Sequence, residues 1–370
     1  FKTNKNEKMK ILHFHPSMAG GGIEAMICGL ANEMFNQGFD VTVGTIFKPK
    51  TKDVFWNRLS KGVNKFSLGK VDEGFSLKEL FLIYKEIKRG KYDVVNVHGF
   101  MYYYLIPIVL LHKKIKFFYT VHSDASLESA PWDRRILPIK RFLFKHRWVK
   151  PVTISKTSND SFIRFYGCNG HQINNGVVKK ELSEGANDVD QYRYTHNTKV
   201  FLHPGRITKA KNQIMLCKAF SELINNNYDV VLLIAGNNED KCIFEKIKPY
   251  FSDRIVYLGE RSDITELMSN VDGFCLSSIW EGLPVTLLEA LSVGCIPICT
   301  PVGGIVDVVK NGYNGFLAES TSEADYLSAL KKCIGLGSAD VMKMQHNCLD
   351  SFEPYNIKNT ARKYIDYYKE

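Results

Sequence analysis

Short apolar runs alternate with helically spaced segments along almost the whole chain, and that alternation leaves few folds open to it. Ile11–His15 is an apolar run, followed by the glycine-rich turn Met18-Ala-Gly-Gly-Gly22. Ile23, Met26, Ile27, Leu30, Ala31 and Met34 then recur at helical spacing until Gly38, and Val41–Ile46 is apolar again. The same rhythm predicts strands at Val63–Ser67, Val94–His98, Lys116–Val121, Val152–Ile154 and His171–Asn174, with helices at Leu77–Arg89 and Lys156–Tyr166. Strand, turn, helix and strand in this order imply a parallel sheet covered on both faces. The polar stretch Val178–Thr198 interrupts the pattern, which restarts with strands at Lys199–His203, Val230–Ala235, Ile255–Leu258, Gly273–Ser277 and Ile296–Thr300. Helices are predicted at Asn212–Ile224, Val285–Val293, Glu323–Ile334 and Asn356–Tyr368. The fold class is therefore α/β, with two doubly wound Rossmann-like domains expected to face across a ligand-binding cleft.

The expected boundaries are an extension over 1–8, a first domain over 9–178, a linker over 179–198, a second domain over 199–350 and a final helix in 351–370 that crosses back to the first domain. The longest apolar run, Phe100–Leu111, has 12 residues, well short of the ~20 a spanning helix needs. The nine cysteines are odd in number and scattered, which suits free thiols in a reducing cytoplasm. The net charge of +10 is unevenly divided, +16 over residues 1–180 and −6 over the remainder. The basic half is expected to meet an anionic partner.

The block Ser277-Ser-Ile-Trp-Glu-Gly-Leu-Pro-Val-Thr-Leu-Leu-Glu289 carries the densest chemical signal. Glu281 sits on a strand-to-helix turn shaped by Gly282 and Pro284, next to Leu283 and Val285, and Glu289 follows on the helix. The start of such a helix offers unpaired N–H groups to an anion or a sugar hydroxyl. The two carboxylates are too far apart to share a proton and suit two parts of one extended ligand. Arg206 and Lys211, after His203-Pro-Gly, are placed at a strand end and suit a diphosphate. Gly20, Gly21 and Gly22 remove the Cβ barrier at a helix N-terminus.

These segments resemble the retaining glycosyltransferases of family 4, on the two-domain GT-B architecture. Glu281 and Glu289 match the family's Glu-x7-Glu motif, Pro301-Val-Gly-Gly304 its following glycine-rich stretch, and Gly205-Arg206 with Lys211 its G-R-x4-K segment. Met18–Glu24 matches its Gly-Gly-x-Glu loop, and Asn175-Gly-Val177 its hinge-side N-G-V. The resemblance implies that Glu289 bonds the ribose of a nucleotide sugar and Glu281 contacts the transferred sugar. It further implies that Arg206 and Lys211 stabilise the leaving diphosphate without a metal or other cofactor. By the same likeness His122 lies near the sugar hydroxyls, Arg261 near the nucleobase, and Gly21 and Gly22 near the donor. Glu24 and His98 are assigned to the acceptor side. His13 and His15, with His98, are expected at strand ends in packing or capping roles. A glycan or lipid-linked acceptor and a UDP-sugar donor are implied, with retention through front-face attack.

Arg134–Lys150 holds seven Lys or Arg and no acid, interleaved with Ile136, Ile139, Phe142, Leu143 and Trp148. Arg134, Arg135, Lys140, Arg141, Lys145 and Arg147 are expected to touch an anionic membrane surface on the inner face of the cell membrane. No nucleic-acid motif accompanies them. Asp188-Val-Asp190 is read as solvated linker, not as a metal site. The rival readings are a sugar-nucleotide epimerase on the same fold, which lacks the W-E-G-L-P-x-x-L-L-E block, and a non-catalytic nucleotide-sugar-binding protein at a membrane.

Overall fold

The computed structural model describes residues 8–51, 53–72, 74–99, 102–112, 114–128, 135–180 and 188–370. The chain divides into two units, residues 1–178 with 355–370, and residues 179–354.

In the first unit β1 (Lys10–His15), α1 (Gly22–Asn36), β2 (Asp40–Phe47), the short α2 (Val54–Asn57), β3 (Asn64–Lys70), α3 (Leu77–Gly90) and β4 (Val94–His98) follow in turn. They continue into α4 (Tyr102–Leu111), β5 (Lys116–Val121), α5 (Leu137–Lys145), β6 (Val149–Thr153), α6 (Lys156–Tyr166) and β7 (His171–Gln172). The strands form one parallel sheet in the order β3-β2-β1-β4-β5-β6-β7. Alternate residues sort its faces. Leu12, Phe14, Val95, Val97, Phe117, Tyr119 and Val121 join one core with buried residues of α3, α4, α5 and α6. His13, Asn96, His98, Thr120 and His122 occupy the alternate positions and are also buried, so the second face of the central strands is polar inside the protein.

The second unit repeats the plan with β8 (Lys199–Pro204), α7 (Gln213–Asn225), β9 (Val230–Ala235), α8 (Lys241–Ile247), β10 (Ile255–Gly259), α9 (Ile264–Met268) and β11 (Gly273–Leu276). Then come α10 (Val285–Ser292), β12 (Pro297–Cys299), α11 (Ile305–Val308), β13 (Phe316–Leu317), α12 (Glu323–Ile334) and α13 (Ser338–Phe352). Its sheet order is β10-β9-β8-β11-β12-β13, again parallel. The continuous apolar run of β9 is buried at every position, as a strand covered on both faces requires.

The last helix, α14 (Ile357–Lys369), belongs to the first unit. Its Tyr364 and Tyr368 are at most 1 % exposed. Asn96 Nδ2 donates to the Tyr368 hydroxyl at 2.8 Å, and Lys116 Nζ donates to the carbonyls of Tyr368 and Lys369. A cation at those terminal carbonyls also opposes the negative end of the helix dipole.

Two long helices, α4 and α13, escape the sequence pattern, as do the short α2, α8, α9 and α11. The α4 segment is apolar on all sides, so it has no polar face to show a period, and it carries Pro107 internally. The α13 segment buries only Met344, Cys348 and Phe352, a stripe one residue wide. The stretch 179–198, expected as a solvated linker, is anchored where it is described. Val189 is fully buried, Asp188 pairs with Arg261 at 3.0 Å, and Arg193 reaches Asp272 at 2.7 Å. The polar residues there are ion-pair partners of the second unit, which composition cannot distinguish from solvated ones. Seven of the nine cysteines are buried and all nine are free, Cys168 and Cys242 being the more accessible. No described helix is long and apolar enough to cross a membrane.

Candidate active site

In the second unit the predicted residues collect beyond the carboxyl ends of β8 and β11. Lys211 Nζ donates to Glu281 Oε1 at 2.6 Å, with the two side chains 20 % and 13 % exposed. Ser278 Oγ donates to the same oxygen at 2.6 Å. The backbone fixes this pair from both sides. Ile279 N donates to Ala210 O at 2.8 Å, Ser277 Oγ donates to Lys211 O at 2.8 Å, and Thr300 Oγ1 donates to Ser278 O at 2.6 Å. Asn212 turns the chain into α7 through a left-handed conformation with φ 53°.

The glycines after β12 complete the support. Gly303 has φ +54°, and a Cβ there would fall 2.0 Å from Glu281 O, inside any tolerable contact with backbone. Gly304 N donates to Gly282 O at 2.5 Å. Gly303→Ala must therefore shift the Glu281 turn as well as strain its own backbone. A drop in melting temperature together with weakened donor turnover is the expected result. A variant with both properties unchanged would show that the close approach is dispensable.

The remaining donor-side positions divide by exposure. Leu283, Pro284 and Val285 are buried, and α10 starts at Val285 with no side-chain cap, so this turn presents backbone and not side chains. Glu289 is half-buried about one turn into the same helix. Arg206 is not joined to Glu281. Its Nη1 donates to Glu239 Oε2 at 2.6 Å, with both side chains more than half exposed. Arg261 donates to both Asp188 and Asp263, whose charges hold its guanidinium even more firmly protonated. Gln213, absent from the sequence reading, links the site to the core by donating to His203 Nε2 and to Arg206 O. Ser278 and Glu239 were also missed. Their position beyond strand ends is the signal that marks them.

The first unit gathers a second set. Glu24 lies in the first turn of α1, folded over Gly21, where a Cβ would meet its Oε2 at 2.6 Å. Glu24 Oε1 is 3.9 Å from His15 Nε2, and His15 Nδ1 donates to His98 O at 2.8 Å. His98, expected to line the acceptor side, is fully buried with both ring nitrogens occupied, by His13 at 2.9 Å and His122 at 3.1 Å. Its ring is therefore engaged wholly within the histidine group and is not at the surface. His13 and His15 likewise bond within this group instead of simply packing. Glu128 Oε1 accepts from His122 N at 2.5 Å and from Ser123 N at 2.8 Å. Burial pushes the Glu128 carboxyl up to about 7 despite those donors.

On the basic segment, Arg135, Arg141, Lys145 and Arg147 are exposed beside Ile139, Phe142 and Trp148. Lys140 is the correction. It is 2 % exposed, on the inner side of α5, and cannot face a membrane. Arg134 lies outside the described residues. Among the described residues no cluster of three or more His, Cys, Asp or Glu is placed to hold a metal ion.

Comparison with known proteins follows the two units. The family model "Glycosyltransferase Family 4" matches residues 20–180, and "Glycosyl transferases group 1" matches residues 186–348. An Escherichia coli protein named UDP-Gal:alpha-D-GlcNAc-diphosphoundecaprenol alpha-1,3-galactosyltransferase is 25% identical, over 98% of this chain and 97% of that one. The crystal structure of a glycosyltransferase from Rickettsia africae aligns with TM-score 0.84 at 20% identity, covering 98% of each chain. Anabaena HepE in complex with UDP and glucose aligns with TM-score 0.79 at 20% identity, over 98% of this chain and 99% of that one.

Proposed function

Because this chain belongs to the group 1, family 4 glycosyltransferases, with a GT-B fold, we propose that it transfers a sugar from a UDP-sugar to a glycan or lipid-linked acceptor with retention of configuration. The observation that carries this reading is the Lys211–Glu281 pair, held beyond the strand ends by Ser278 and the Gly303 contact. The names of the E. coli relative and the HepE complex, which specify UDP-galactose and UDP with glucose, support a uridine donor. The diphosphoundecaprenol in the former supports a lipid-linked acceptor.

In the proposed reaction the acceptor oxygen forms its bond to the anomeric carbon on the face from which the diphosphate leaves. The bond from that carbon to the phosphate oxygen breaks, and the acceptor hydroxyl's proton passes to that oxygen. Lys211 and Arg206 stabilise charge as it develops on the diphosphate. Glu281 contacts the transferred sugar, Glu289 the ribose, and Arg261 the region of the base. Gly21 and Gly22 admit the donor, Glu24 serves the acceptor, and His122 takes a sugar hydroxyl. With two cations at the leaving group, turnover is expected to proceed in EDTA. Activity lost with the chelator and restored by manganese would overturn the metal-free reading. Binding is tested by thermal shift across nucleotide sugars, since a ligand at 100 times its Kd adds about 2.7 kcal/mol of stability. UDP and UDP-sugars should raise the melting temperature, and a screen with no responding nucleotide would overturn the donor class.

The exposed basic and aromatic residues on and beside α5 support contact with an anionic bilayer on the inner face of the cell membrane. Each exposed basic residue contributes about 1 kcal/mol near such a surface. Flotation with anionic liposomes should recover the protein, and neutralising Arg135, Arg141, Lys145 and Arg147 together should release it. Equal recovery with neutral lipid would remove this part of the proposal.

A further inference from the structure

Three buried imidazoles, from β1, β4 and the residue that follows β5, form an unbroken chain. His13 Nδ1 lies 2.9 Å from His98 Nε2, and His98 Nδ1 lies 3.1 Å from His122 Nε2. At the far end His13 Nε2 is 3.5 Å from Met34 Sδ. At the near end His122 Nδ1 is buried and has no hydrogen-bond partner among the described residues. Burial holds all three rings well below the usual histidine range, so each is neutral at pH 7.

A neutral imidazole carries one N–H and one lone pair. Only two arrangements satisfy both links between the rings. In the first, all three protons sit on Nε2, so His122 donates to His98, His98 to His13, and His13 to Met34. In the second, all three sit on Nδ1 and every bond reverses. The two ends decide between them. A thioether sulfur accepts and never donates. The second arrangement would therefore set a buried ring lone pair against a sulfur lone pair, whereas the first closes the chain. The order of the chain thus fixes the free end, where His122 Nδ1 is left as a bare acceptor.

We propose that Met34, His13 and His98 are positioning residues that hold His122 in its Nε2–H form, so that Nδ1 accepts a hydrogen bond from a hydroxyl of the transferred sugar. The ligand half of this statement rests on the transferase reading above, and the tautomer half does not. His15 supplies an internal reference of opposite sense. Its Nδ1 faces the carbonyl of His98, which only accepts, so His15 carries its proton on Nδ1.

The test uses the full chain with ¹⁵N-labelled histidine rings, whose nitrogen shifts distinguish protonated from bare positions. Couplings across the N–H···N bonds identify the ring pairs. His13, His98 and His122 should carry the proton on Nε2, and His15 on Nδ1. A proton on His122 Nδ1 would overturn the proposal. His98→Leu leaves His122 Nε2–H without its acceptor and should lower kcat/KM about tenfold. His98→Asn places an amide oxygen near the lost Nδ1 and should restore most of that activity. Equal losses in both variants, with the His122 spectrum unchanged, would reduce His98 to a packing role. Should either variant fold poorly, Met34→Leu keeps the apolar volume and should convert the His122 signal to a mixture of tautomers; an unchanged signal would deny Met34 its part.

Donor analogues complete the test, with one sugar hydroxyl at a time replaced by hydrogen or by fluorine, which cannot donate. At the position facing His122 both replacements should be poor to the same degree. A fluoro-sugar as good as its parent at every position would overturn the ligand half. If no nucleotide sugar is turned over at all, the transferase reading fails and the ligand half with it, while the ring spectra still judge the chain.

Discussion

Lys211→Ala is expected to lower turnover by about 10²–10³-fold while leaving nucleotide binding largely intact, the scale seen when one preorganised donor is removed from a developing anion. The amine is held at 2.6 Å from Glu281, on a segment whose backbone is tied to the loop after β11 through Ile279 and Ser277. Those ties involve main-chain atoms of residues 210 and 211, so the variant keeps the loop in place. Glu281 also keeps the Ser278 hydroxyl. The loss should therefore appear in kcat more than in KM. Arg206→Ala should follow in the same direction but less severely, because that side chain is 57 % exposed and shared with Glu239. Glu289→Ala should do the reverse, weakening donor binding with a smaller effect on kcat. Steady-state kinetics on the three variants separate these outcomes. A Lys211→Ala enzyme with wild-type kcat would remove the cation from the mechanism.

Acidification should destabilise this protein steeply. His13 and His122 are held down to about 3, and His203 to about 4, all chiefly by burial. His203 is locked neutral, donating to Cys275 O and accepting from Gln213. The folded forms refuse protons that the unfolded chain takes below its ordinary value of 6.5. Their contribution is thus complete above pH 6.5 and is lost as pH falls from there toward 3 to 4. At pH 5 each such ring costs about 2 kcal/mol, a large share of a typical net stability of about 5–15 kcal/mol. Glu128 acts in the opposite sense. Its folded value near 7 lies above the ordinary 4.5, so its contribution is complete below 4.5 and lost as pH rises through 7, about 3 kcal/mol in all. Thermal melts across pH 4.5–9 should therefore peak close to neutrality, with the acid side the steeper. A melting temperature unchanged between pH 7 and pH 5 would contradict the burial of these rings as neutral species.

The sequence reveals the elements whose faces differ. The periodic apolar stripe of α1 and the alternating strands are legible because one side of each meets the core and the other does not. The α4 segment is silent for the opposite reason, as it is apolar all round. The motif around Glu281 is readable because its glycine and proline spacing is dictated by backbone approach, which the Gly303 contact with Glu281 O displays. Side-chain partnerships are the part that stays hidden. Nothing in the spacing of His13, His98 and His122 announces that three strands will set them side by side. The burial of Lys140 inside a run of exposed cations depends on the rotation of α5, which the pattern of charges does not encode. Arg206 and Lys211 read as a pair in one dimension, yet each has its own acid.

Because α14 is built from the far end of the sequence, the first unit cannot be finished in the order in which it is synthesised. Its polar sheet face, with Asn96 and Thr120 awaiting Tyr368 and Tyr364, must wait while residues 179–354 are made, roughly 10–30 s at about 5–20 residues per second. During that interval the nascent chain exposes unpaired polar groups and the apolar surround of α1. Chaperone dependence and premature-termination damage should accordingly fall on the portion translated first, even when the missing codons are those of α14.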